Sequence, residues 1–284
     1  MPYNNIMSKK TRIDQLMVEK GLVQSRSQAQ RLVMAGQVRV DGQVVPKTSS
    51  RYSFQEIITI DEGPRFVSRG GDKLEAAFEV FSLDVSGKVC ADVGSSTGGF
   101  TDCLLQHDAQ RVYAIDVGKG LLDWKLRNHP KVVVIEGTNA RYLDELPEPV
   151  SFIAVDVSFI SLKKILPVIK NWFPNTKNTD DNGGIRERLE ALVLIKPQFE
   201  AGRKIAAKGK GVIRDPEIHR KVLFEVLSFA LEINFNIQGL AKSPVIGPKG
   251  NVEFLAWLSK DIGKETPIYS LSEWITDIVP LIDG

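Results

Sequence analysis

Three charged residues stand where apolar runs begin or end. Asp156 closes Phe152-Ile-Ala-Val, Lys196 closes Leu192-Val-Leu-Ile, and Glu253 precedes Phe254-Leu. Parallel strands are buried on both faces, so a charge at a strand end needs a reason. In open α/β sheets, ligands bind just outside the carboxyl ends of the strands, which is where Asp156 and Lys196 fall. A structural ion pair is the plain alternative for any one pair. The stretch Asp92-Val-Gly-Ser-Ser-Thr-Gly-Gly-Phe-Thr101 supplies a ligand to consider. It follows the apolar run Val89–Val93 and opens a helix predicted over Gly99–Gln106. Glycines at a strand-to-helix turn let the backbone approach a ligand and leave N–H groups facing it. Further on, Val112–Ile115 ends in Asp116, placed to grip ribose hydroxyls. The unit reads as nucleoside-binding.

The loop does not follow the dinucleotide pattern G-x-G-x-x-G, because Ser96 stands two past Gly94. Asp92 before the turn suits a ligand with an amine and a sulfonium, as in S-adenosylmethionine, better than a pyrophosphate. A nicotinamide cofactor or a merely tight turn stays open at this point.

These residues need a scaffold, and the chain alternates strand and helix as an α/β sheet does. A helix is expected from Ser68 to about Phe81, then strand Arg111–Asp116, helix Leu121–Arg127 and strand Val132–Glu136. Strand Phe152–Asp156 leads to helix Leu162–Trp172; strand Leu192–Lys196, helix Pro216–Asn234, and strands Phe235–Ala241 and Glu253–Leu258 follow. Residues 174–189 are polar and turn-rich and read as a surface insertion. The tail 261–284 holds Tyr269, Leu271, Trp274 and Ile275, enough for a helix packed on the surface.

The first fifty residues differ in character. Lys9, Lys10, Arg12, Lys20, Arg26, Arg31, Arg39 and Lys47 outnumber Asp14, Glu19 and Asp41, although the whole chain carries only +2. An anionic partner or a solvated face would each account for that. Ile13, Leu16 and Met17 are spaced for a helix stopped by Gly21. Ser25 caps a second, Arg26–Ala35, and Val38-Arg-Val-Asp-Gly-Gln-Val-Val45 reads as a hairpin. Arg12, Arg26 and Arg31 are expected near helix starts, where N–H groups also meet phosphates. Two cysteines, Cys90 and Cys103, give no disulfide framework and fit a reducing cytoplasm. No run is long enough to span a membrane, the best being Phe152–Leu162 with Asp156 inside it. His107, His129 and His219 show no ligand spacing, so no metal is expected.

The string from Arg12-Ile-Asp-Gln-Leu to Val40-Asp-Gly resembles the S-four RNA-binding module, with RNA as the implied partner. Lys73, Asp156, Lys196 and Glu253, in that order around a methyl-donor cradle, resemble the tetrad of FtsJ-like ribose 2′-O-methyltransferases. Val67-Ser-Arg-Gly-Gly-Asp-Lys-Leu, the Asp92 loop, Asp156-Val-Ser-Phe-Ile-Ser-Leu, Lys196-Pro-Gln-Phe-Glu-Ala-Gly-Arg and Ser243-Pro-Val-Ile-Gly-Pro-Lys-Gly-Asn-Val-Glu are together similar to the TlyA family, also labelled hemolysin A.

The resemblance implies an S-four-like domain over 9–62, a linker at 63–68 and a Rossmann-like class I methyltransferase domain over 69–260. It implies S-adenosylmethionine bound by Gly94, Ser95, Ser96, Gly98, Gly99, Phe100, Asp116, Asn139, Ala140 and Asp156, the pair Asn139 and Ala140 flanking adenine. The substrate it implies is cytidine of 23S ribosomal RNA; extra residues at both ends resemble members that also modify 16S. Arg12, Arg26, Arg31, Arg39 and Arg69 are the candidate RNA contacts, Arg69 being equally readable as solvated. A ribose hydroxyl is a poor nucleophile at neutral pH, so its proton must leave or its developing charge be stabilised. Lys196 is the candidate for that hydroxyl, as base or as charged stabiliser, with Asp156 orienting it. Lys73 and Glu253 would fix the ribose and Lys196. A membrane-lytic protein and a non-catalytic RNA-binding assembly factor are the rival readings.

Overall fold

A computed structural model of the chain describes residues 10–61, 63–174, 188–260 and 268–280. It divides into two units, Met1–Arg65 and Phe66–Gly284.

In the first unit, β1 (Thr11–Arg12) runs into α1 (Ile13–Glu19), and α2 (Arg26–Met34) follows. The Ser25 side chain accepts a hydrogen bond from Gln28 N–H and so starts α2. Strands β2 (Val38–Val40) and β3 (Gln43–Val44) form the hairpin. Asp41 and Gly42 both have positive φ, 47° and 81°, as its two-residue turn requires. Strand β4 (Arg51–Tyr52) pairs with β1, and β5 (Ile58–Ile60) pairs with β2. These additions were too short to stand out in the sequence. Ile13, Leu16, Met17, Ala29, Val33 and Val38 form the small core. Buried Asp14 accepts from Arg12, Arg26 and Gln30 at 2.8–3.1 Å, tying α1 to α2.

The second unit opens with α3 (Gly70–Phe81) and then β6 (Val89–Val93), α4 (Gly99–Gln106), β7 (Arg111–Asp116), α5 (Trp124–Arg127) and β8 (Val132–Glu136). Strand β9 (Phe152–Val155), α6 (Leu166–Ile169), β10 (Glu190–Ile195), α7 (Pro197–Glu200) and α8 (Arg203–Lys208) come next. The chain then forms α9 (Pro216–Glu232), β11 (Asn236–Lys242), β12 (Phe254–Ser259) and α10 (Ile268–Ile278). The seven strands lie in the order β11-β12-β10-β9-β6-β7-β8. From β10 to β8 all neighbours are parallel, whereas β12 is antiparallel to both β10 and β11. Strand order reverses between β6 and β9, which makes their carboxyl ends the switch point where a ligand crevice forms.

Leu74, Phe78 and Leu104 cover one face of the sheet beside Phe152 and Leu192. Leu166, Ile169, Val222, Leu223 and Val226 cover the other. Several expected elements differ. The helix expected over Leu121–Arg127 starts only at Trp124, where the Asp123 side chain caps it. The one expected over Leu162–Trp172 breaks into 3₁₀ turns around the four residues of α6, because Pro167 offers no N–H to an unbroken ladder. The expected tail helix is α10, which lies on the outside of the unit with one face seated in the core and the other exposed. Leu271 and Ile275 of α10 are fully or nearly fully buried in the main core, and Arg220 donates to the Val279 carbonyl at 3.0 Å. Most of the expected insertion, 175–187, lies outside the described residues; Leu189 beside it is core.

Candidate active site at the carboxyl edge of the sheet

Antiparallel β12 explains how the fourth charged residue reaches the other three. Ile195 pairs with Phe254, so Lys196, just past the end of β10, faces Glu253, just before the start of β12. Val193 pairs with Val155, which brings Asp156 to the same edge. Lys73 arrives from the first turn of α3.

The four side chains form one connected chain. Lys73 Nζ donates to Glu253 Oε2 at 2.6 Å and lies 3.8 Å from Asp156 Oδ2. Asp156 Oδ1 lies 2.5 Å from Lys196 Nζ, which also donates to Ser158 Oγ at 3.2 Å. The Lys196–Asp156 contact is an ion pair by distance, but its angle is not that of a hydrogen bond, leaving Asp156 Oδ1 without one. Two positive and two negative groups balance, which is the condition for keeping four charges so little exposed.

Beside them the Gly94–Phe100 loop turns from β6 into α4. Gly94 has φ 87°, and a Cβ there would stand 2.5 Å from the Asp156 carbonyl oxygen. Only glycine lets the β6 and β9 ends approach so closely. Asp116 accepts from Ser96 N–H at 2.8 Å and Gly118 N–H at 2.7 Å, fixing the loop while keeping acceptor capacity. Asp92 does not face a ligand as the sequence reading expected. It is fully buried, lines neither cleft, and accepts from Thr101 N–H at 2.8 Å and Thr101 Oγ1 at 2.6 Å, holding the start of α4. Burial pushes its carboxyl up to about 7.

Two adjoining clefts share Gly94, Ser96, Asp156 and Ser158. The smaller, 300 Å3, is walled by Lys73, Lys196, Ser95, Gly99, Phe100 and exposed Arg69. The larger, 1120 Å3, takes in Asp116, Asn139, Ala140, Gln198 and Phe199. Gly98 lines neither, and Glu253, 1% exposed, lies behind Lys73. Glu253 is therefore placed to act through Lys73, not on a ribose as the sequence reading expected.

Of the candidate RNA contacts, Arg12 and Arg26 are spent in part on Asp14, and Arg39 pairs with Asp61 at 2.7 Å. Arg31 lies in the last turn of α2, not near a helix start, because the helix ends at Met34.

Ser158, Phe159 and Gln198 lie inside the motifs that carry the family resemblance, but sequence reasoning gave none of them a role. Phe159 has φ 64° and is 90% exposed, with its ring 4.8 Å from that of Phe199. A bulky residue held in the left-handed region is strained, and such strain gathers at functional sites. Away from the clefts, Glu75, Cys103 and His107 meet with donor atoms within 4.8 Å of one another, His107 Nε2 lying 2.7 Å from Glu75. Counting histidines missed this Cys-x-x-x-His spacing, which ties α3 to α4.

Residues 66–260 match the FtsJ-like methyltransferase family and residues 11–58 the S4 domain. The 16S/23S rRNA (cytidine-2′-O)-methyltransferase TlyA of Mycobacterium tuberculosis is 40% identical over 256 residues, spanning 89% of this chain and 91% of that protein. The chain belongs to the TlyA family of FtsJ-like methyltransferases. Hemolysin A of Brachyspira hyodysenteriae is 42% identical over 86% of this chain and 98% of its own length. A solved structure from Streptococcus thermophilus, named as a candidate hemolysin, is 39% identical with a TM-score of 0.67, covering 95% of this TlyA-family chain and 96% of that one. Among the described residues no helix is long and apolar enough to cross a membrane.

Proposed function

We propose that this chain, acting in the cytoplasm, methylates the 2′-hydroxyl of cytidine in ribosomal RNA, using S-adenosylmethionine bound at the switch point. The observation that carries the reading is the run of contacts Glu253–Lys73–Asp156–Lys196, whose last three members border a cleft shared with the glycine loop.

The residues fit the donor. The Gly94 turn admits close approach, Asp116 offers a carboxylate for ribose hydroxyls, and Asn139 and Ala140 border the same cleft for the adenine. When bound, the donor supplies an electrophilic methyl group on a sulfonium. Lys196, held by Asp156 and Ser158, meets the ribose oxygen as an ammonium and stabilises the negative charge it develops. The hydroxyl proton would leave to solvent through the open cleft; with the donor bound, the O–CH3 bond would form as the S–CH3 bond breaks and its electron pair returns to sulfur, leaving a neutral thioether. Asp156 keeps Lys196 aimed, and Lys73 shares the charge of Asp156 while anchored on Glu253. The exposed ring of Phe159 offers a stacking face for a base taken out of its helix. Arg31 and Arg69 are exposed for phosphates, and the S4 unit is the proposed grip on the RNA.

Incubating the protein with ribosomal subunits and methyl-labelled donor, then mapping the RNA by mass spectrometry, tests the reading. A ribose-methylated cytidine in 23S or 16S RNA is expected. Label on a base, or RNA binding without transfer, overturns it.

A further inference from the structure

Glu253 has a second oxygen, and the side chain that satisfies it belongs to none of the four charged residues. Gln198 Nε2 donates to Glu253 Oε1 at 3.2 Å, while Glu253 Oε2 takes Lys73. Gln198 lies in α7, two residues past Lys196, and Pro197 opens that short helix. Its side chain is buried, and its own Oε1 has no hydrogen-bond partner. The amide orientation is thus dictated by the carboxylate, since turning it round would set two acceptors against each other. Gly247 packs against the same oxygen, where a Cβ would overlap Glu253 Oε1.

We infer that Gln198 is a positioning residue for methyl transfer, holding the Glu253 carboxylate so that Lys73 is paired to it and Asp156 is left to Lys196. The inference rests on the proposed function and assigns one more residue to that site. An ionised carboxylate at 1% exposure needs its acceptor sites occupied. With the amide gone, Glu253 loses its second donor and pulls Lys73 deeper. Lys73 then moves from its 3.8 Å station beside Asp156, and the aim of Lys196 changes with it. No bond is made or broken at Gln198 itself.

The test uses the full-length protein, ribosomal subunits and labelled donor. Gln198→Met keeps the volume without the donor. It should lower kcat by about ten- to hundredfold, the span of one hydrogen bond to a charged group. KM for RNA should stay within about twofold, and any change in KM for S-adenosylmethionine, whose cleft Gln198 also borders, should be smaller than the fall in kcat. The decisive readout is a double-mutant cycle. In a Glu253→Gln background, Gln198→Met should have little further effect on kcat, because its action passes through that carboxylate. Additive losses, a raised KM with kcat intact, or no loss at all would overturn the inference. If Gln198→Met does not fold, Gln198→Asn replaces it in the same cycle, with the same outcomes. Failure of the wild-type protein to methylate RNA would instead remove the proposed function, so the two failures are distinguishable.

Discussion

Lys73 and Glu253 sit 2.6 Å apart although 180 positions separate them, one on the first helix of its unit and the other at the start of the last strand. The pair spans nearly the whole catalytic unit and anchors its charge network at the buried end. Breaking it leaves an uncompensated charge inside. Glu253→Gln should therefore lower kcat by about two orders of magnitude or more and cost about 3 kcal/mol or more of stability. Steady-state methylation and thermal unfolding measure the two effects.

Lys196 stands at the other end of the same network, buried but bordering the smaller cleft. Lys196→Ala should lower kcat by about 10²–10³-fold, as loss of a preorganised charge does, with donor binding by calorimetry retained. Lys196→Arg should restore part of the rate. The charged role further predicts no rise in rate attributable to a lysine losing its proton. Such a rise in the pH–rate profile would make Lys196 a base.

Asp92 makes stability depend on pH. Its carboxyl is raised from an ordinary 3.8 to about 7 by burial, so the native state binds a proton more tightly than the unfolded chain. The contribution is fully present below about pH 4 and is lost as pH rises through about 7. Asp92→Asn cannot ionise and should flatten that slope, gaining on the order of a few kcal/mol near pH 8 relative to the native residue. Denaturant unfolding between pH 4 and 8 measures it. Parallel slopes would count against it.

Asp14 behaves in the opposite sense. The hydrogen bond from Arg12 holds its carboxyl well below the usual range, helped by Gln30 and Arg26 and opposed by burial. Its contribution is present above about pH 4 and disappears as pH falls further. Asp14→Ala should destabilise the first unit by about 1–3 kcal/mol and free Arg12 and Arg26. Hydrogen exchange in α1 and α2 would show it.

The strands flanking the glycine loop were legible because parallel strands leave unbroken apolar runs with polar ends, as Val89–Val93 and Arg111–Asp116 do. The meeting of Asp156 with Lys196 followed from both ending such runs. Strand order and the reversed direction of β12 were not legible, since no local pattern in Phe254–Ser259 encodes which neighbour it takes. Asp92 was misjudged for a related reason. Strand alternation decides whether a carboxylate faces the cleft or Thr101, and a turn next to glycine hides that phase. Gln198 fell inside the motif that begins at Lys196, but nothing marked its amide for a role until its contact with Glu253 is seen. How deeply the inner face of α10 seats was not legible, because Leu271 and Ile275 fit a deep stripe as well as a shallow one.

The backward-running β12 also sets when competence appears. Because it slots between β10 and β11, no shorter nascent chain can present Glu253 to Lys73, however well its glycine loop is formed. A growing polypeptide emerging from the ribosome would have its glycine loop in place well before its charge network. The network is thus complete only once the chain has been made through β12.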